Sequence, residues 1–366
     1  MKKRCVAVTL LFSMALTSIG FAQTKQEPKT LSYEKAIELA IQNSLEIRQI
    51  DRKLQKVDTT NKELDKMSNR LSSSPNDYPG KAEQWNKLVY SLEKEDKEKS
   101  LNEFSIRYTK RMLEDTIRKL FHSIESSVTE MKDYDKQIEL KQKELQIAKV
   151  RYSVGKISRY DYDLLQTSLE GMKRTKEQKR LELQKQKLEL NKYLRLKDLD
   201  EYTLLSIPYQ YQPISLTDGQ LDSHALRASH SNMSVVAKEN GVSLQQLLID
   251  QNLVSGNRKI QQEDVYIANT ENLKLKEDIR EGVKREYSNL KLTEEKIELL
   301  LHKKETMKQE IENDEVRLKY GKISKFSVEQ KKMQLSEMER QYTELTKEYE
   351  LAKIHFENLY VSGSNL

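Results

Sequence analysis

The chain has 366 residues, of which 33% are charged, with 64 Lys and Arg against 58 Asp and Glu for a net charge of +6, and its mean hydropathy is −0.81. That length allows two domains, but so polar a chain excludes two ordinary compact cores, and so small a charge excess gives no reason to expect nucleic acid as a partner. Five prolines and ten glycines leave long stretches in which helices meet no breaker.

At the start, Lys2, Lys3 and Arg4 precede an apolar run from Val6 to Ile19 and a small-x-small site at Gly20-Phe21-Ala22. This pattern reads as a signal peptide over residues 1–22, cleaved before Gln23, with an uncleaved N-terminal anchor as the alternative. Cleavage would lower the net charge from +6 to +3 by removing three basic residues. The single cysteine, Cys5, precedes the apolar run, so the mature chain is expected to carry no disulfide, no lipid anchor and no thiolate chemistry. No other run approaches the length of a spanning helix, which implies an exported, water-exposed protein.

After Pro28 the segment LSYEKAIELAIQNSLEIRQIDRKLQ places Ala36, Ile37, Ala40, Ile41 and Ile47 at helical spacing, with Ser32 as N-cap. Two prolines and a glycine among Ser, Asn and Asp predict a loop from Ser68 to Trp85. From about Lys97 the helical pattern runs to Tyr152, and a second helix returns to Leu196 with Leu165, Leu169, Met172, Leu183, Leu190 and Leu194 as its stripe. YTLLSIPYQYQPISL, residues 202–216, reads as an extended linker. Near the C-terminus Leu335, Met338, Tyr342, Leu345, Tyr349, Ala352, Phe356 and Leu359 alternate steps of three and four, a heptad seam.

The phrase VRYSVGKISRYDYDLLQ at Val150 returns 166 residues later as VRLKYGKISKFSVEQKK at Val316. At that offset Ile117, Phe121, Ile124, Met131 and Leu145 fall on Val283, Tyr287, Leu290, Ile297 and Ile311. A weaker match at another offset sets Ala36 and Asn43 on Ala225 and Asn232. We read a tandem duplication: a first repeat within 23–200, a linker at 201–215, a second repeat at 216–361 and a tail at 362–366. The fold class expected is all-α, with long antiparallel coiled-coil hairpins and little or no β-barrel.

Glycine accepts the left-handed conformation at a helix end, so Gly155 and Gly321 fit the C′ position of the incoming helices. Ser158 and Ser324, three residues on, fit the caps of the outgoing ones. Asp161 completes a capping box with Ser158, whereas the second copy has Ser327 there. Each phrase therefore closes a helical hairpin, and two readings stay open: a plain turn, or a docking tip.

LSYEKAIELAIQNSLEIRQ resembles the opening helix of the TolC-type outer-membrane efflux family. RYSVGKISRYDYDLLQTSLE resembles that family's Y-x-x-G-x-x-S-x-x-D tip and returning helix, and the internal duplication is also the family's. The resemblance covers most of Leu31 to Tyr360. It implies a homotrimer whose six hairpins form a hollow α-helical tube, and a non-enzymatic role in export in the cell envelope, in the periplasm and outer membrane or at the extracytoplasmic face of a host that lacks an outer membrane. It further implies that the tips meet a membrane-fusion-type adaptor of an export pump. Carried over residue by residue, the docking positions are Val154, Gly155, Lys156, Ile157, Ser158 and Asp161 in the first tip, and Tyr320, Gly321, Lys322, Ile323 and Ser324 in the second. The lysines after each glycine would suit an acidic partner, or stand solvated.

The family inserts two membrane strands per repeat between its first and second helices. Neither residues 68–90 nor residues 254–269 alternate for the ten or so residues that a barrel strand needs, and Arg258, Lys259, Glu263 and Asp264 would be costly against lipid. The barrel is therefore expected to be absent or vestigial, which leaves membrane association open and a non-conducting envelope scaffold, or a monomeric coiled-coil adaptor, as rival functions. No catalytic motif, cofactor fingerprint or metal site is expected. The histidines His122, His224, His230, His302 and His355 include no pair at i, i+4. Tyr78 and Trp85 fit either an interface or a local cluster.

Overall fold

The computed structural model describes residues 29–75, 80–196, 202–254 and 256–363. The signal-peptide reading and Tyr78 lie outside these residues. In order, the elements are β1 (Lys29–Leu31), α1 (Tyr33–Asn43), α2 (Leu45–Ser73), α3 (Lys81–Ser153), α4 (Arg159–Leu194), β2 (Tyr202–Leu204), α5 (Asp218–Ser231), α6 (Met233–Asp250), α7 (Arg258–Lys319) and α8 (Lys325–Glu357).

Two helices, α3 with 73 residues and α7 with 62, run far longer than the rest, and at about 1.5 Å per residue they reach about 110 Å and about 93 Å. Each carries two shorter antiparallel partners end to end. Along α3, α2 covers the N-terminal part, where Lys99 pairs with Asp58 at 3.1 Å, and α4 covers the C-terminal part, where Lys179 meets Glu130 at 3.2 Å. Along α7, α6 and α8 do the same through Lys276 to Glu239 at 2.6 Å and Lys331 to Asp314 at 2.8 Å. Such pairs fix register more than they stabilise.

The apolar core is concentrated halfway along, where α1 and α5 add a third layer. Ala36 and Ala40, both essentially inaccessible, let α1 approach α3 and pack on Ile117, Phe121 and Ile124 with Leu190 and Leu194 from α4. The second repeat repeats this arrangement with Ala225, Ala228, Val283, Leu290, Ile297, Tyr349 and Phe356. Burying such side chains contributes about 1.5 to 3 kcal/mol for each large one, so these two centres anchor otherwise polar arms. Side chains also join the repeats: Arg118 reaches Glu350 at 3.1 Å, Lys347 reaches Glu125 at 2.7 Å, and Tyr360 packs edge-on against Phe104 at 4.9 Å.

Several expectations are corrected. The opening helix is interrupted: α1 stops at Asn43 because Ser44 turns extended and its hydroxyl caps the N–H of Ile47, starting α2. Asn232 makes the same break between α5 and α6, and its side chain caps Ser234. The loop expected from Ser68 to Trp85 is much shorter. Helix continues to Ser73, whose hydroxyl bonds back to the Asn69 carbonyl at 3.0 Å, and resumes at Lys81 rather than near Lys97. In the heptad seam Tyr349 and Phe356 are buried, but Ala352 is exposed and Leu359 lies beyond the helix. Part of the linker is a strand: β2 pairs in parallel with β1, Lys29 opposite Tyr202 and Leu31 opposite Leu204, which ties the start of the first repeat to the linker that follows it.

Both stretches inspected for barrel strands contain helix: residues 68–73 end α2, residues 81–90 begin α3, and residues 258–269 begin α7. The strands among the described residues are β1 and β2, three residues each. Among those residues no helix is long and apolar enough to cross a membrane.

Candidate functional site: two hairpin tips

The two repeated phrases lie at the same end of the rod, where α3 turns into α4 and α7 into α8. In the first tip α3 ends at Ser153, Val154 is its C-cap and Gly155 adopts φ +72°. The Gly155 N–H donates to the Tyr152 carbonyl at 3.0 Å and the Lys156 N–H to the Arg151 carbonyl at 2.8 Å. These two bonds are the Schellman pattern, and the positive φ is why glycine stands there. The second tip matches it: Gly321 has φ +68°, its N–H donates to Leu318 at 2.9 Å, and the Lys322 N–H donates to Arg317 at 2.9 Å.

The outgoing helices are capped as the spacing predicts. Ser158 Oγ accepts from the Asp161 N–H at 3.1 Å, while Asp161 Oδ2 accepts from the Ser158 N–H at 3.3 Å and from its hydroxyl at 2.7 Å. Ser324 Oγ accepts from the Ser327 N–H at 3.1 Å, and the two hydroxyls lie 2.9 Å apart, so a neutral contact replaces the carboxylate. Each turn is thus held at both ends by backbone and cap, and presents its side chains on a rigid frame.

Val154, Gly155, Lys156, Ser158 and Asp161 are exposed in the first tip, as are Tyr320, Gly321, Lys322 and Ser324 in the second. Ile157 and Ile323 are half-buried. Among the described residues neither Lys156 nor Lys322 has a carboxylate at ion-pairing distance.

Of the aromatic side chains at the tips, Tyr320 was named from the sequence, whereas Tyr152, Tyr160 and Tyr162 were missed. Tyr160 is 74% exposed and Tyr320 77%, while Tyr152 stacks on Tyr162 across the first hairpin with ring centres 5.5 Å apart and planes 14° from parallel. Four tyrosines within ten or so residues of the two glycines were the available signal; heptad patterning hides them because it scores only inward positions. Trp85 is 39% exposed at the far end of α3, beside Asn86, whose amide donates to the Gln251 carbonyl at 3.1 Å. His224 bonds to the Phe356 carbonyl at 2.8 Å and stacks on its ring, a packing role. Among the described residues no group of His, Cys, Asp and Glu is arranged to hold a metal ion.

Paired long hairpins with twin glycine tips, set on a twofold-repeated three-helix middle, define the fold of the TolC-type outer-membrane channels. Solved structures carry that likeness over nearly the whole chain. VceC, an outer membrane protein of Vibrio cholerae, matches with a TM-score of 0.63 at 9% identity over 88% of this chain and 95% of its own. The CmeC outer membrane channel of Campylobacter jejuni matches with a TM-score of 0.63 at 10% identity over 97% of this chain and 94% of its own. The outer-membrane channel OprN matches at 0.63 and 10%, over 91% and 90%. No protein-family model and no curated protein matches the sequence.

Proposed function

We propose that this protein is a non-enzymatic, TolC-like component of an export system of the cell envelope, built from two repeats at 23–200 and 216–361. Three copies close into an α-helical tube, and the tips at Val154 to Ser158 and Tyr320 to Ser324 dock to the hairpin-bearing adaptor of a pump. The observation that carries this reading is the matched pair of rigid, exposed turns at one end of a channel-type fold. Any such turn calls for its glycine, so what supports docking is the pairing of the two turns at one end with Val154 and Tyr320 left in water beside them.

The opposite end sets this chain apart within its fold. There α2 joins α3 across residues 74–80 and α6 joins α7 across residues 251–257, at the places where the family inserts its membrane strands. We infer that the tube ends at, rather than within, whatever layer receives its cargo.

The assembly is tested by native mass spectrometry and electron microscopy of the purified mature chain. A three-chain species appearing as a ring with a central lumen is the expected result. A monomer at concentrations well above those of the envelope favours the non-conducting scaffold instead.

A further inference from the structure

The two tips share a backbone but not a charge. Residues 316–328 hold Arg317, Lys319, Lys322 and Lys325 and no acid, whereas the matching residues 150–162 hold Arg151, Lys156 and Arg159 with Asp161. In the first tip acids stand within the turn itself: Asp161 closes the cap and Asp163 lies 3.6 Å from Arg159 Nε, while Arg151 and Lys156 have no carboxylate at ion-pairing distance among the described residues. In the second tip the neighbouring carboxylates are taken from below, Asp314 by Lys331 at 2.8 Å and Arg317 at 3.5 Å, and Glu315 by Lys332 at 2.5 Å. Hydrogen bonds from those lysines hold both acids below their ordinary pKa, so they remain anionic and committed. Lys319, Lys322 and Lys325 have no carboxylate at ion-pairing distance among the described residues.

Two further features sharpen the contrast. The first turn of α8 contains no acidic residue, so the positive end of its dipole adds to the lysines, whereas Asp161 offsets it in α4. Tyr320 stands 77% exposed amid these lysines where the first tip has Val154. An aromatic anchor ringed by unpaired cations is the composition of an interface centre whose charges are answered by the partner.

We propose that the second tip is the specificity contact of the docking surface, and that it receives an acidic turn, rich in Asp and Glu, on the partner's hairpin. This rests on the docking reading above. A folded turn is favoured over a bilayer surface because the lysines and Tyr320 sit on one pre-organised turn about a hairpin wide. A lipid surface would reward basic residues one by one and would draw on Arg151, Lys156 and Arg159 as well.

The test places a photo-crosslinking residue at Tyr320, and separately at Tyr160, of the full chain in its host, and maps the attached peptide. Each is repeated with Lys319, Lys322 and Lys325 all changed to Glu, and all changed to Gln as a control for local folding. Expected is a partner peptide of net negative charge at Tyr320, captured at least about tenfold less in the Glu variant and intermediately in the Gln variant, with capture at Tyr160 falling less than about threefold. A neutral or basic partner peptide, capture indifferent to the Glu changes, or labelling of lipid overturns the charge assignment while protein capture at both tips leaves docking standing. Absence of any hairpin-bearing partner at both tips overturns docking itself, and this proposal with it.

Discussion

Gly363 lays its backbone against Gly282 of α7, so that a Cβ on Gly282 would run into the Gly363 carbonyl, while Gly363 itself holds φ +75°. Glu286 secures the turn, its carboxylate accepting from the Gly363 N–H at 2.9 Å and the Ser362 hydroxyl at 3.0 Å. The chain after α8 is thus fastened to the middle of the rod. Gly282→Ala is expected to lose about 1 to 3 kcal/mol in urea unfolding, as overpacking against backbone does. Gly171→Ala, on an exposed stretch of α4 with open space around it, is expected to gain about 0.5 to 1 kcal/mol.

Lys347 of α8 meets Glu125 of α3 where the repeats join. Burial opposes ionisation of Glu125, but hydrogen bonds from Lys347 and Ser206 outweigh it and hold the carboxyl below the usual carboxylate range. A depressed folded pKa gives stability that is present above the unfolded value and lost as pH falls through the folded one. Lys347→Met should therefore lose about 2 kcal/mol at neutral pH and much less in acid, once the pH has fallen through the lowered value of Glu125. Unfolding of the single and double variants with Glu125→Gln at both pH values measures the coupling.

Burial pushes the phenols of Tyr202, Tyr209 and Tyr211 up to about 12. Their raised values favour the folded state below the ordinary phenol pKa of about 10, and that advantage drains away as pH rises toward the folded values. An alkaline titration followed by phenolate absorbance should show these three ionising only with loss of structure.

The caps differ in a way that mutation can read. Ser158→Ala should weaken the first turn by about 1 kcal/mol, because it removes the acceptor for Asp161's N–H and the hydroxyl donor to its carboxylate, leaving only the backbone N–H at 3.3 Å. Asp161→Ser should cost less, since Ser324 and Ser327 show that a hydroxyl pair serves the same turn. Hydrogen exchange of the tip amides reports both, with the distant core unchanged.

The long arms and their turns were legible because helical spacing, a positive-φ glycine and a capping serine all act within a few residues. Breaks at Ser44 and Asn232 were not, because each is made by one side chain capping a backbone that neither proline nor glycine interrupts. The prolines and glycine of this stretch exaggerated the first loop, since α2 runs to Ser73 and α3 starts directly after Gly80. β1 and β2 are too short to show alternation, and their pairing joins residues far apart in sequence. At the tips the backbone and Tyr320 were readable, whereas the exposure of Tyr160 and the pairing of Arg159, Asp314 and Glu315 emerged only with the side chains in place.

Docking through the tips is tested most directly by photo-crosslinking from Lys156 and from Lys322 in the native host, with the captured protein identified by mass spectrometry. Capture of a hairpin-bearing pump adaptor from both positions is the result predicted. Capture of cell-wall or scaffold proteins alone, or of nothing, at both positions would contradict it and reduce GKIS to a well-made turn.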